Sequence, residues 1–373
     1  MYKKEVFFVL IFTILFLFAF TAQSKSENVY LSHDQIIVLK ADVVNFLMTL
    51  SGKKDDVKLN KILEEINSDS DTSLQVIILS LKTKLNEQGL SFSDYFGNIG
   101  YNDDDIVDKL MEITDKAIDN SINILIKRLE HSGIIYPAVY KTGSTRISIE
   151  IPGEIQEEIK TIVQTTGRLT FNLCKDDEYA KKILQDIDKA LFVSAPASGT
   201  KQLTQYFDMG FSEAFKALIA NEKDVDKIDN ILKSETVKVA IPVDASLCWA
   251  YKEMKGIDDK RYKELHIVKK EPELTEQVIT NATFEIDKNT EMPYVSLVMN
   301  EEGAKEWERI TGENINKKCA IIFDGIVYST PVIKSKIIGG KTWIQGMATM
   351  KEVKILSILL KSGALEIPLK IIE

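Results

Sequence analysis

Few residues are typed and spaced for chemistry. The three histidines, His33, His131 and His266, stand apart from one another and from Cys174, Cys248 and Cys319, so no His/Cys set falls at metal-ligand spacing. The chain has neither a Gly-x-Ser-x-Gly elbow nor a glycine loop of the kind that cradles phosphate. Asp103-Asp-Asp105 gathers oxygen ligands but lacks the glycine and the twelfth-position glutamate of an EF-hand loop. Acids placed just ahead of Ile106, Leu110 and Ile113 suit the first turn of a helix, where the macrodipole favours negative charge. His266 lies in an apolar run and reads as a structural histidine, and the scattered Asp and Glu residues form no acid/base couple. The expectation is a protein without catalysis, metal or cofactor.

Non-covalent contact is the chemistry that remains. Tyr206, Phe207, Met209, Phe211 and Phe215 bunch within one short stretch, and aromatic and methionine side chains make adaptable contacts with unfolded polypeptide. Phe207, Phe211 and Phe215 also stand four apart, as the core stripe of a helix would, and both readings remain open. Cys174 and Cys319 fall at or in predicted strands and could bridge, although buried free thiols account for them as well.

These residues must be held by a folded, exported chain. With 373 residues and 45% hydrophobic content there is core enough for two or three domains. A net charge of -9 leaves no basic footprint for nucleic acid. Lys3 and Lys4 precede an apolar run from Val6 to Phe20, followed by the small residues of Ala22-Gln-Ser24. About 17 residues of helix reach roughly 25 Å against a hydrocarbon core near 30 Å. The run is therefore either a signal peptide cleaved near Ser24 or a single anchor, and in both cases the bulk lies outside the cytoplasm.

Periodicity supplies the elements. Residues 26–100 read as mainly helical, with stripes Val43/Phe46/Leu47/Leu50, Leu59/Ile62/Leu63/Ile66 and Leu74/Ile77/Ile78/Leu81/Leu85. A further helix runs from the acid cluster to about Leu129 and stops at Gly133. Strands follow at Ile134–Tyr140 and at Ile147/Ile149/Ile151, then a helix over 154–163 and a strand at Leu169/Phe171/Leu173. In the middle, Tyr179/Ile183/Ile187 and Val225/Ile228/Ile231 mark helices, Thr236–Val243 reads as a strand, and the pieces at Leu247–Trp249 and Leu265–Val268 as short further strands. Near the end, Asp324-Gly325 between apolar runs is a type I′ hairpin turn. A helix carries Ala304, Trp307 and Ile310, with Gly303 letting its start lie close to a strand, and Thr349-Met-Lys-Glu352 is a capping box whose helix ends at Gly363.

The last quarter brings these features together in a recognisable order: Asn300-Glu-Glu-Gly303-Ala304, Thr311-Gly-Glu-Asn314, Ala320-Ile-Ile-Phe-Asp324-Gly325-Ile-Val-Tyr-Ser-Thr-Pro331-Val332, Ile338-Gly339-Gly340 and Ser362-Gly363-Ala-Leu365. It closely resembles the periplasmic part of SecD, an accessory subunit of the bacterial Sec translocase. Arg128-Leu-Glu-His-Ser-Gly133-Ile134, Tyr136-Pro137 and Ile149-Glu-Ile-Pro152-Gly153 are similar to the same family further upstream.

The resemblance implies an α+β fold with a ferredoxin-like, two-part periplasmic base and an inserted head. With the apolar run giving 1–24 as a signal peptide or anchor and the helical stripes giving 25–102 as a mainly helical region, it assigns 103–174 and 281–373 to the halves of the base and 175–280 to the head. It implies SecF and a SecY-containing translocase as partners and unfolded exported polypeptide as client, at the inner membrane. The family's further membrane helices, which carry proton flow, do not follow Leu365 here, so coupling is expected only through a separate membrane partner. A second reading is a truncated or degenerate paralogue serving as a periplasmic binding or structural module without a translocase role.

Overall fold

Residues 35–373, apart from 54–55, 67–71, 195–201, 208–217, 257–258 and 348, are described by a computed structural model. Its first strand, β1 (Gln35–Ala41), precedes the helices of residues 26–100 and is the element that the mainly helical reading of this region leaves out. Ile37, Leu39 and Ala41 face the core and alternate with more exposed neighbours, a period of two. The strand escapes notice because helix α1 (Val43–Leu50), capped by Asp42, follows at once and continues the apolar run.

β1 lies inside a four-stranded antiparallel sheet. It pairs with β3 (Arg146–Ile151) on one side and β14 (Leu369–Ile371) on the other, and β2 (Ala138–Lys141) forms an edge beyond β3. Pro137, which cannot donate to a ladder, stands just before that edge strand, as its chemistry requires.

Helices α2 (Val57–Ile66), α3 (Leu74–Glu87) and α4 (Phe92–Phe96) pack with α1 on the same large core as α5 (Asp103–His131). Asn102 caps α5, its side chain accepting from the backbone N–H of Asp104 and Asp105, and the three aspartates occupy the first turn. Ile106, Leu110, Ala117, Ile118 and Leu125 recur at helical spacing on its buried side. α6 (Glu157–Gln164) completes this layer.

The next strand, β4 (Leu169–Leu173), does not join β2 and β3, as a self-contained first half of a base would require. It belongs to a seven-stranded sheet of order β5-β7-β6-β12-β11-β4-β8. The members are β5 (Leu218–Asn221), β6 (Ala245–Lys255), β7 (Arg261–Lys269), β8 (Leu274–Thr275), β11 (Cys319–Phe323) and β12 (Ile326–Ser329). Cys319 through Phe323 pair antiparallel with Leu173 through Leu169. A single bridge, Cys174 to Val268, with Lys175 N donating to Ile267 O at 2.9 Å, also ties the end of β4 to β7. Strands β4, β7, β6, β12 and β11 thus surround a small core of Val268, Ala320, Ile322 and Val327, against which Cys174 and Cys248 pack.

Residues 175–245 build a separate core with β5 and β7. α7 (Asp177–Ser194) contributes Ile183, Leu184 and Ile187, and α8 (Val225–Leu232) contributes Ile228. Residues 235–240 are a helix, α9 (Glu235–Ala240), where the β-branched run Thr236–Val243 reads as a strand in sequence. Ser234 O accepts from Val237 N and Lys238 N, Glu235 supplies a first-turn acid, and only Val237 is buried. Val239 and Val243 are left in solvent, so no second strand face exists to satisfy.

A third sheet, order β13-β10-β9, holds β9 (Ile279–Ile286), β10 (Pro293–Met299) and β13 (Lys341–Ile344). α10 (Glu301–Glu313) and α11 (Met350–Ser362) complete this part of the chain. A Cβ on Gly303 would lie 2.5 Å from Val278 Cβ, so glycine is what lets α10 begin this close to the approach to β9. The Thr349/Glu352 capping box starts α11 as its sequence dictates.

Candidate functional site

The organising point is the turn between β11 and β12. Asp324 and Gly325 have φ of 46° and 81°, the left-handed pair a two-residue type I′ hairpin needs. The aspartate side chain does more than turn the chain. Its carboxylate accepts from Gly167 N at 3.0 and 3.1 Å and from Arg168 N at 2.8 Å, while its own N–H donates to Arg168 O. Charge-assisted bonds of this kind are among the stronger ones in proteins. The hairpin is therefore fastened to the segment joining α6 to β4.

Arg128, from the last turns of α5, fastens the same segment from the other side. Its side chain is fully buried, with Nη1 donating to the carbonyls of Ile162 and Thr165, and Nη2 to Thr166 and Gly363 at 2.8 and 2.9 Å. Burial pushes the guanidinium down to about 10, opposed by Asp324, so it remains charged at neutral pH. One cation thus gathers α5, the end of α6 and the end of α11. Gly167 stands where a Cβ would meet Nη2 at 2.6 Å.

Two clefts open beside the Asp324 turn. One, of about 510 Å³, is lined by Asn45 and Thr49 of α1, by Thr170, Asn172 and Ser246 of the seven-stranded sheet, and by Lys270 just after β7. The other, of about 350 Å³, lies between helices α6 and α11 and strands β6 and β12. Its wall is aromatic: Tyr251 stacks on Tyr328 at 4.6 Å with rings 8° apart, and Phe323 meets Tyr328 edge-on at 5.8 Å. Ile355, Leu356 and Leu359 of α11 also line it. Tyr251 donates its hydroxyl to Glu352 at 2.6 Å, and that carboxylate also accepts from Thr349 N in the capping box. Burial, then the Glu352 contact, holds the Tyr251 phenol far above its usual range, and burial pushes Tyr328 up to about 12. Both stay protonated. The cleft is suited to holding an apolar or aromatic side chain.

Of the expected aromatic group, Tyr206 and Phe207 fall among the described residues. Phe207 is buried at 5% exposure in the core of residues 175–245, where it bridges Ala220 in extended conformation. Its extended backbone follows a short 3-10 turn, Leu203–Tyr206, and as placed its buried ring cannot meet a passing polypeptide. Tyr206 packs beside it. Met209, Phe211 and Phe215 lie outside the described residues.

The motif residues are distributed as supports. Thr311 is fully buried, donating to Trp307 O and accepting from Ile337 N. Asn314 closes α10 on Ile310 O, and Pro331 O accepts from Cys319 N. Gly133 follows α5, Pro152 and Gly153 follow β3, and Gly363 ends α11 with its carbonyl on Arg128. Gly339 and Gly340 precede β13, where a Cβ on Gly340 would lie 2.6 Å from Ala304 Cβ. The thiols of Cys174, Cys248 and Cys319 are free. His266 is buried against Glu264 at 3.1 Å. Tyr251, Tyr328 and the double attachment through Arg128 and Asp324 are what sequence reasoning missed. Tyr328 sits inside the hairpin motif, but its partner Tyr251 is far away in the chain and carries no local signal.

These features define a domain in which two separated stretches are pinned together beside an aromatic cleft, and known proteins share both stretches. Residues 118–176 match the family model described as protein translocase subunit SecDF, P1 domain, N-terminal, and residues 251–367 match SecDF, P1 head subdomain. The chain is 25% identical to the protein translocase subunit SecD of Rhodothermus marinus, over 85% of this chain and 59% of that protein. It is 47% identical to the SecD of Syntrophobacter fumaroxidans over 26% of this chain and 18% of that one. Among solved structures, SecDF in a super-membrane-facing form matches with TM-score 0.47 and 20% identity, covering 99% of this chain and 34% of that one. A second, of the membrane component SecDF that enhances protein export, matches with TM-score 0.42 and 24% identity over 69% of this chain and 92% of that one. The chain belongs to the SecD family through its periplasmic P1 region. It spans 59% of the length of the Rhodothermus relative. The model named for the head begins at 251 and covers most of what sequence alone puts in the second half of the base.

Proposed function

We propose that this chain is an accessory subunit of Sec-dependent protein export that holds translocating polypeptide on the outer side of a bacterial inner membrane. The carrying observation is that Arg128 and Asp324 join the two stretches matched by SecDF P1 models, with the aromatic cleft at their junction. The α5/α11 side acts as the two-part base of ferredoxin-like type, and the unit built on residues 175–245 as a head against it. Apolar side chains of an unfolded client enter the Tyr251/Tyr328 cleft one at a time, a mode that tolerates many sequences because dispersion and aromatic contact ask only for size and apolarity. Proton coupling comes through a separate membrane partner, with SecF and SecY as the assembly, and no bond of the client is made or broken here.

A photo-crosslinking amino acid placed at Tyr328 tests the reading in cells exporting a stalled preprotein. Crosslinks to the preprotein at Tyr328, and none at the exposed Tyr101 ahead of α5, are expected. Equal yields at both sites would overturn the cleft as the contact site.

A further inference from the structure

The four-stranded sheet has one end that combines exposed apolar side chains with both limits of the described chain. Gln35 pairs with Ile151, and Val38 N donates to Glu373 O, so Gln35 and Glu373 lie at that end. β2 begins there as well, since Ala138 pairs with Glu150, and the Ile134–Pro137 connection from α5 projects beyond it. Ile135 is 77% exposed, Tyr136 93%, Ile36 52% and Ile372 43%.

The projection is held in place. Ile134 packs on the main core, and its N–H donates to Leu129 O at 3.0 Å. Tyr136 has φ of 55°, a conformation that bulky residues avoid, and Pro137 follows it. Two large apolar residues are thereby fixed outward at a tip where glycine or asparagine would satisfy the turn without strain.

We propose that this end of the sheet lies in the interface of a lipid bilayer, with Ile135 and Tyr136 at the level where headgroups meet acyl chains. What selects a bilayer over other apolar partners is the chain outside the described residues. The apolar run Val6–Phe20 joins the sheet at this very end, through residues 21–34. Even fully extended, such a connector reaches only about 50 Å. A tyrosine beside isoleucine also suits the composite chemistry of a membrane interface, its ring apolar and its hydroxyl wet. The inference rests on the reading that places the run in the inner membrane, and it adds which surface of the folded part meets the lipid.

The full chain carrying Ile135→Cys, labelled with an environment-sensitive NBD dye, is reconstituted into vesicles of phosphatidylethanolamine and phosphatidylglycerol, with and without nitroxide-labelled lipid. Burial pushes Cys174 and Cys248 up to about 11 and Cys319 to about 12, so the new exposed thiol takes the label near neutral pH. Val239→Cys in α9 is the comparison. The expected result is that vesicles float with the chain, and that the dye at 135 shifts to the blue, is quenched by nitroxide lipid and loses most of its quenching by aqueous iodide. The dye at 239 does none of these. Flotation with the two sites alike would overturn the lipid contact while leaving the anchor standing. Shielding from iodide without nitroxide quenching would assign the face to a second copy of the chain. Absence of flotation would overturn both the contact and the anchor.

Discussion

Arg128 is the residue on which most of the candidate site depends. Its four carbonyl partners come from two places in the chain, residues 162–166 and Gly363, and no other cation reaches them among the described hydrogen bonds. Replacing it by methionine keeps much of the volume but removes the guanidinium donor from the carbonyls of Ile162, Thr165 and Gly363, while Thr166 O keeps the N–H of Leu365. Arg128→Met is expected to cost about 3 kcal/mol, read as a lowered urea midpoint at unchanged slope. A loss under about 1 kcal/mol would mean that water replaces the guanidinium and that the two matched stretches hold together without it. The bonds were not legible from residue type: Arg128 reads as the first residue of a family motif at a helix end, with no partner named, and Asp324 as half of a turn. The turn chemistry was readable because Asp-Gly has local consequences. The carboxylate's bonds to Gly167 and Arg168 were not, since they depend on which loop the fold brings alongside.

At the scale of elements, sequence is most informative where both ends of a segment carry their own chemistry. α5 has Asn102 and three aspartates at its start, and α11 has its capping box and Gly363, and both form as their sequences dictate. Where the ends are silent, composition misleads. Thr236–Val243 has the β-branched content of a strand, yet forms α9 because Ser234 and Glu235 begin a helix and only one side has a core to meet. β1 has the alternation of a strand, yet hides against the helix that follows. Contacts between elements give sharper tests. Gly303→Ala in the first turn of α10 would stabilise an isolated helix, but here the new methyl meets Val278. The substitution is expected to destabilise the fold by about 1–3 kcal/mol, and Val278→Ala in the same chain is expected to recover part of that loss. Additive losses in the double-mutant cycle would show that the two residues do not crowd each other.

At the scale of the whole molecule, the α+β class and the family were legible because motif order survives in the last quarter of the chain. The sheets were not. β1 pairs with β14 from opposite limits of the described chain, β4 leaves its sequence neighbours for β11, and β12 meets β6 in parallel at one residue pair. Pairings across such separations follow from how whole layers pack, which no local period records. The same long-range closure places the aromatic cleft between α6, α11 and the seven-stranded sheet, and gives the account its functional claim that the domain serves polypeptide in transit through a membrane translocase. The most direct measurement is to express the tagged chain in its own host, extract it in mild detergent and identify what co-purifies. The account predicts SecY and SecF in the eluate, retained through washing. Recovery of the chain in quantity with neither present would contradict it.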